Sequence, residues 1–410
     1  MLKAYRYRIY PTKEQKEKLA QHFGCARWVY NWGLSEKKEY YTQHKKSLSK
    51  RALQDKLVHE VKTHDDTKWL GDVYSQTLLS ALEHLDTAYK HFFRRKQGFP
   101  KYKKKSSGYS ACQFPQHVTV DFDLHFVKLP KKIGNVKAKF HREFEGKIKT
   151  CTVKQTPTGK YFISMLVETP ELEPTATTVE PDLMLGIDLG IKDLLITSNN
   201  NTEPNSKFLD QKLKRLKTLQ RRLSKKKKGS ANRAKARKLL ARLHEKVANQ
   251  RLDAVHKASS NLVYKSHDTS FAVEDLNIKG MMKNHKLSKR IGDCGWGIFL
   301  DTLKYKSKWV GKNVIQIDKW SPSSKTCSSC GHKKDELSLS ERIYKCDECG
   351  LVIDRDHNAA INIKDFAIAE LGLGKPEDKS VDHALTGVVS DDLVIRGLKQ
   401  EAPTRITPVI

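Results

Sequence analysis

Two short cysteine motifs restrict what this chain can fold into more than anything else in it. Cys327-Ser-Ser-Cys330 and Cys346-Asp-Glu-Cys349 are separated by fifteen residues. A two-residue gap lets each pair place two thiolates about 2.3 Å from one tetrahedral ion. Gly331 and Gly350 follow the pairs, where a positive φ relieves a tight knuckle. The spacing predicts a four-thiolate zinc ribbon. Four thiolates fill the coordination shell, so the expected ion is a single structural Zn²⁺ with no activated water. Cys25, Cys112, Cys151 and Cys294 are isolated and read as small core residues. Paired cysteines in a chain of this length point to metal and a reducing, intracellular compartment.

The ribbon sits in a strongly basic chain of 410 residues, with 77 Lys and Arg against 47 Asp and Glu, a formal net charge of +30. That excess points to a polyanionic partner, nucleic acid first, and hence to residence with the nucleoid. No run approaches 18 apolar residues, so no membrane span is expected. The opening "MLKAYRYRIYPTKEQ" has no apolar core of a signal peptide.

Periodicity divides the chain. In "AYRYRIY" Tyr5, Tyr7 and Ile9 alternate with Arg6 and Arg8, as in a half-buried strand with a basic outer face. Thr12 and Gln15 form a capping box for a helix expected to end at Gly24, after which a second begins. Leu78, Leu82, Leu85, Tyr89 and Phe92 mark a further helix. From about Val118 to Glu168 the period becomes two, with "TPTGK" as a hairpin turn. The first strand is expected to join this sheet, which makes the helical segment an insertion. The acidic, Pro-rich "ETPELEPTATTVEPD" is the linker, with a boundary near residue 181. Beyond it come strands around a turn at Gly190, then a basic helical pair. Between Gln211 and Arg251 there are seventeen Lys and Arg against one Glu. "TSFAVEDL" and "NVIQID" are strands flanking the amphipathic helix "GIFLDTLKYKSKWVG". The end of the chain, from "LGLGKPEDKS", has no period and reads as a flexible tail.

Three acids each end or closely follow an apolar, strand-like run: Asp188 in "MLGIDLG", Glu274 in "SFAVEDL" and Asp354 in "GLVIDRD". Such an acid is costly unless paired, hydrogen-bonded or bound to cations. Singly, a salt bridge or helix cap is the commoner explanation. Together, in so basic a chain, three converging carboxylates suit two Mg²⁺ ions about 4 Å apart and in-line phosphodiester cleavage. Asp193, Asp275 and Asp356 rank below them, and Asp356 reads as the N-cap of the helix that follows. The order of elements is that of an RNase H-like nuclease.

At this point the chain resembles the TnpB (OrfB) family of insertion-sequence proteins, RNA-guided DNA endonucleases akin to compact type V CRISPR nucleases. The motifs that carry the resemblance are "GIDLGIKDL" (186–194), "VEDLNIKGM" (273–281), "GWGIFLDTLKYKS" (295–307), "SPSSKTCSSCG" (321–331) and "CDECGLVIDRDHNAAINI" (346–363). The resemblance implies an α/β multidomain protein. Residues 1–11 and 111–181 would form a wedge β-barrel and its linker, and 12–110 a helical recognition domain. Residues 182–320 would be a RuvC-like nuclease domain with the basic helical pair at 207–268. The zinc ribbon would span 321–352, the end of the RuvC-like domain 353–371, and the tail 372–410. It implies Asp188, Glu274 and Asp354 as the catalytic triad, holding two Mg²⁺ or Mn²⁺ ions, and Cys327, Cys330, Cys346 and Cys349 as zinc ligands. It also implies a guide RNA from the transposon end and a double-stranded DNA target beside a short adjacent motif, with one protein per guide.

Phosphate contacts fall to the basic stretches: Lys103, Lys104 and Lys105, then Arg221, Arg222, Lys225, Lys226, Lys227, Lys228, Arg233 and Arg237. Tyr102 and Tyr109 are candidates for stacking on unpaired bases. A non-catalytic nucleic-acid-binding regulator and a DNA-strand-transfer transposase are the alternatives. The complete set of acids argues against the first, while cleavage and strand transfer share the two-metal geometry.

Overall fold

The computed structural model describes residues 1–95, 97–105, 110–338 and 340–373. Tyr109 and, from residue 374, the tail lie outside the described residues. The chain forms two compact units, Met1–Leu172 and a second from Glu173 onward.

In the first unit, β1 (Leu2–Tyr10) is followed by α1 (Lys13–His44), α2 (Lys50–Lys56) and α3 (Ser75–Arg95). Six strands follow: β2 (Ser110–Phe114), β3 (Thr119–Asp121), β4 (Phe126–Leu129), β5 (Gly134–Lys139), β6 (Lys147–Gln155) and β7 (Tyr161–Glu168). They join β1 in one sheet of order β2-β6-β7-β1-β5-β4-β3. The first strand therefore sits inside the later sheet, between β7 and β5. Among the described residues no ladder joins β3 to β2, so the hydrogen-bonded sheet has two edges. Tyr5, Tyr7 and Ile9 are buried, while Arg6 and Arg8 lie over the Phe162 ring, 4.3 and 5.1 Å from its centroid.

The capping box is present: the Thr12 N–H donates to Gln15 Oε1 and the Gln15 N–H to Thr12 Oγ1. The helix it starts does not stop at Gly24 but runs unbroken to His44. A mid-helix glycine costs about 1 kcal/mol, which the buried face of Leu19, Phe23, Ala26, Val29, Tyr30 and Leu34 outweighs. Gly33 has a packing reason: a Cβ there would lie 2.7 Å from Leu82 Cδ2 on α3.

The second unit begins with the acidic linker, whose Thr177 donates through N–H and Oγ1 to the carbonyl of Gly311. Its sheet holds β8 (Met184–Asp188), β9 (Asp193–Thr197), β10 (Thr202–Pro204), β11 (Ser270–Glu274) and β12 (Asn313–Ile317), in the order β10-β9-β8-β11-β12. β8, β9 and β10 form an antiparallel meander, and β11 pairs parallel with both β8 and β12. Between β10 and β11 run the basic helices α4 (Phe208–Ser224) and α5 (Ala231–Ser260). The short α6 (Ile278–Met281) and α7 (Ser288–Cys294) lead to α8 (Trp296–Trp309). After β12 come the ribbon strands β13 (Ile343–Lys345) and β14 (Val352–Asp354), then α9 (Arg355–Glu370).

Side chains alternate across this sheet. Leu185, Ile187, Phe271 and Val273 pack with Val255 of α5 and Trp296, Phe299 and Leu303 of α8. Met184 and Ala272 face the other way and pack with Ile363 and Ala367 of α9. Gly186 belongs to the α9 side: a Cβ there would lie 2.0 Å from the Ala360 carbonyl oxygen, so only glycine admits the helix this close. The four isolated cysteines are all buried.

Candidate metal centres of the second unit

The same alternation places the acids. Asp188 shares the parity of Met184 and Gly186, and Glu274 that of Ala272, so both stand on the α9 side of the sheet. Gly186 pairs with Ala272 and Ile187 with Val273, so Asp188 and Glu274 end two adjacent parallel strands at the same level. Burial raises Asp188 to about 8, and the charges of Glu274 and Asp356 push the same way, against Arg355 and the Leu189 N–H. Burial also raises Glu274, against a hydrogen bond from Ser323 Oγ at 2.5 Å.

The third acid brought to this pair is Asp356, and Asp354 has the role expected of Asp356. Asp354 is the N-cap of α9, its Oδ1 accepting the N–H groups of Asp356 at 2.9 Å and His357 at 3.1 Å. Of these two acids, Asp356 and not Asp354 is the one whose charge acts on Asp188. Two positions later, in the first turn of α9, Asp356 is held between Arg355 (3.4 Å) and Arg342 (3.8 Å), its side chain 16 % exposed. His357 Nε2 lies 3.1 Å from the carbonyl oxygen of Ser198 and anchors the same turn beyond β9.

Two further residues of α9 escaped the sequence reading. Asn358 and Asn362 are buried. Asn358 Nδ2 donates to the Thr326 carbonyl and its Oδ1 accepts the Ser328 N–H, while Asn362 Nδ2 donates to the carbonyls of Ser323 and Thr326. The i,i+4 amides clamp the segment that leads into the first knuckle, and the same segment carries Ser323 to Glu274. Their spacing on one helix face was the available signal.

The knuckles meet as their spacing predicts. The four Sγ atoms lie within 4.8 Å of one another, with Cys327–Cys349 and Cys330–Cys346 each 3.6 Å apart. That matches the roughly 3.8 Å edge of a tetrahedron with 2.3 Å bonds and is far from the roughly 2.0 Å of a disulfide. Gly331 and Gly350 have φ of 75° and 72°. The backbone N–H groups of Cys349 and Glu348 pull Cys346 down to about 6, toward the thiolate that binds metal. Tyr344 is fully buried beneath the cluster.

The acids differ in spacing: among the described residues the thiols form the one group of three or more donors already close enough for a single ion. Asp188, Glu274 and Asp356 are oxygen donors of the kind hard divalent cations take, and burial is the main cause that raises Asp188 and Glu274.

The basic residues are placed more simply. Lys103, Lys104, Lys105, Arg221, Arg222, Lys225, Lys226, Lys227, Lys228 and Arg237 are exposed. Arg233 differs, because its guanidinium donates to the carbonyls of Leu223 and Lys226 and fastens the turn between α4 and α5. No helix of the described residues is long and apolar enough to cross a membrane.

A model of insertion-sequence OrfB proteins, described as "Probable transposase", matches residues 162–285. One described as "Cas12f1-like, TNB domain" matches residues 296–363. A third, described as "Helix-turn-helix domain", matches residues 1–46, which here form β1 and one unbroken helix. A protein of Streptomyces pristinaespiralis named "Putative RNA-guided DNA endonuclease" is 34 % identical over 374 residues, covering 91 % of each chain. "Putative RNA-guided DNA endonuclease InsQ" of Escherichia coli (strain K12) is 32 % identical over 391 residues, covering 91 % of this chain and 94 % of that one. The fold is shared with Cas12f1 as seen in a cryo-EM structure of the Cas12f1-sgRNA-target DNA complex. There the TM-score is 0.54 at 15 % identity, over 89 % of this chain and 98 % of that one. The chain belongs to the TnpB (OrfB) family of insertion-sequence proteins.

Proposed function

We propose that this protein is an RNA-guided DNA endonuclease that hydrolyses phosphodiester bonds at Asp188, Glu274 and Asp356. The observation that carries the reading is that Asp188 and Glu274 end adjacent parallel strands on the α9 side of one sheet, with Asp356 of α9 near enough to act on Asp188. The strand order of that sheet is three antiparallel strands followed by two parallel ones. That order is the RNase H-like, RuvC-type arrangement, and the ribbon interrupts it between β12 and α9. The first unit is read as the wedge, with α1 to α3 as its recognition insertion. Its partners are a guide RNA and a complementary DNA duplex, gripped through the exposed lysines and arginines of residues 103–105 and 221–237.

Asp188, Glu274 and Asp356 would hold divalent ions, Mg²⁺ or Mn²⁺, which when bound supply an activated water and stabilise the leaving oxygen. Ser323 fixes the Glu274 carboxylate. Arg355 and Arg342 orient Asp356 and offset part of the repulsion among the acids. Asp354 acts one step back, holding the first turn of α9 so that Asp356 faces the sheet. The four cysteines would hold zinc, which keeps the segment from Ser323 to Ser328 folded against Asn358 and Asn362.

The test is to copurify the protein with RNA from its own locus and challenge the complex with a matching DNA duplex. Asp188→Ala and Asp356→Ala should bind guide and target yet cut neither strand, while Asp354→Asn should still cut. Cleavage by Asp188→Ala would falsify the site.

A further inference from the structure

Trp320 is 80 % exposed, more than any other tryptophan among the described residues. A folded chain gains by burying an indole, because the ring removes a large apolar area from water. An indole left in solvent on a loose loop would need no explanation, but this one is displayed by a fastened turn. The Trp320 N–H donates to Asp318 Oδ1 at 2.7 Å and the Ser321 N–H to the Asp318 carbonyl at 3.1 Å. The Asp318 N–H donates in turn to Glu370 Oε1 at the end of α9, at 3.1 Å. Three residues after Trp320, Ser323 holds the carboxylate of Glu274. The turn is thus tied to α9 on one side and to the acid site on the other. Three residues of chain reach at most about 10 Å, which keeps the Trp320 backbone close to the residue that holds Glu274. Lys319 Nζ lies 5.0 Å from the centroid of its ring.

An exposed indole with an ammonium over one face leaves its other face for an unpaired base and offers the cation to a neighbouring phosphate. A base inside a duplex has its faces covered by its neighbours, so the ligand that fits is a single strand. The single strand that must come to this place is the one whose phosphodiester enters the acid site. We propose that Trp320 is a substrate-positioning residue: it stacks on an unpaired base of the DNA strand being cut, with Lys319 holding a neighbouring phosphate. The inference rests on the endonuclease reading given above.

The experiment uses the full chain with its copurified guide RNA and measures single-turnover cleavage of a matching duplex alongside target binding. Trp320→Ala should slow cleavage about tenfold or more, with target binding within about twofold, since stacking on one base is lost. Trp320→Phe should recover most of the rate, which a merely structural defect would not allow. In complexes carrying Asp188→Ala to prevent cutting, 2-aminopurine placed along the strand should be quenched at positions flanking the scissile phosphate. Adding Trp320→Ala should abolish that quenching. A Trp320→Ala enzyme that cuts at the full rate overturns the inference, as does a Phe variant no better than Ala, or quenching indifferent to the substitution. Cleavage by Asp188→Ala would instead overturn the endonuclease site itself, so the two failures are distinguishable.

Discussion

The second unit holds a cluster of four thiols and a group of three acids proposed as metal ligands, and they are built in opposite ways. The four thiols come from two knuckles within twenty-three residues, Cys327 to Cys349, and Cys330 and Cys349 remain exposed. The three acids come from positions 188, 274 and 356, and Asp188 and Glu274 are withdrawn from water where a sheet meets a helix. At Cys346 the backbone N–H groups of Cys349 and Glu348 solvate the anion locally and lower it. Around Asp188 burial and like charge do the reverse. A cluster of the first kind can be read from spacing; one of the second kind depends on which way each side chain faces.

The largest expected effect separates the two clusters by function. Losing one of the three acids should reduce cleavage by more than about a thousandfold, because the cations are held jointly, while the protein still folds. Losing a thiol should do the opposite first. Cys346→Ser should release the single zinc, measured by a colorimetric chelator, and make the ribbon susceptible to limited proteolysis. An unchanged proteolytic pattern would show that the knuckles hold together without metal.

Gly186→Ala comes next, since it inserts a Cβ against the α9 backbone. Overpacking of this kind costs about 3 kcal/mol, read from urea denaturation. A smaller cost would mean that α9 can move away, in which case cleavage should fall as Asp356 leaves Asp188.

The acid cluster should also give a pH signature that the knuckles lack. Asp188 has a folded pKa raised from 3.8 to about 8, so the native state binds its proton more tightly than the unfolded chain does. Its contribution to metal-free stability is therefore full below pH 3.8 and is lost as pH rises through about 8. Asp188→Asn should flatten the decline between these limits, and Mg²⁺ should suppress it in the native protein. Thermal melts across that range, with and without Mg²⁺, check both.

The smallest effect concerns the acid that the sequence favoured. Asp354→Ala removes a helix cap and should cost about 1 kcal/mol, with Asp354→Asn close to neutral and cleavage retained in both. An inert Asp354→Asn with normal stability would return Asp354 to the site in place of Asp356.

How far the chain could be read without coordinates follows the range of each interaction. The capping box at Thr12, the hairpin turn at residues 156–160, the positive-φ glycines 331 and 350, and each Cys-x-x-Cys knuckle depend on neighbours a few residues away. All are visible as spacing. Gly24 reads as a helix end in sequence because a local propensity of about 1 kcal/mol is visible there, whereas the buried face that overrides it is shared with a sheet and with α3. The seating of β1 between β7 and β5 was legible because its alternating apolar residues needed a partner sheet. Asn358 and Asn362 passed unnoticed because their partners are backbone carbonyls more than thirty residues upstream.

What the sequence determined by itself is the inventory: a basic chain, a four-thiol knuckle pair, and acids at the ends of apolar strands, where burial is costly unless they are paired, hydrogen-bonded or bound to cations. The tertiary structure decided which acids meet. Asp354 and Asp356 are two residues apart across the junction of a strand and a helix, and there the side-chain period changes from two to 3.6. Only the phase of α9, set by Gly186 beneath it and by the cap at its start, turns Asp356 toward Asp188 and leaves Asp354 on its own helix end.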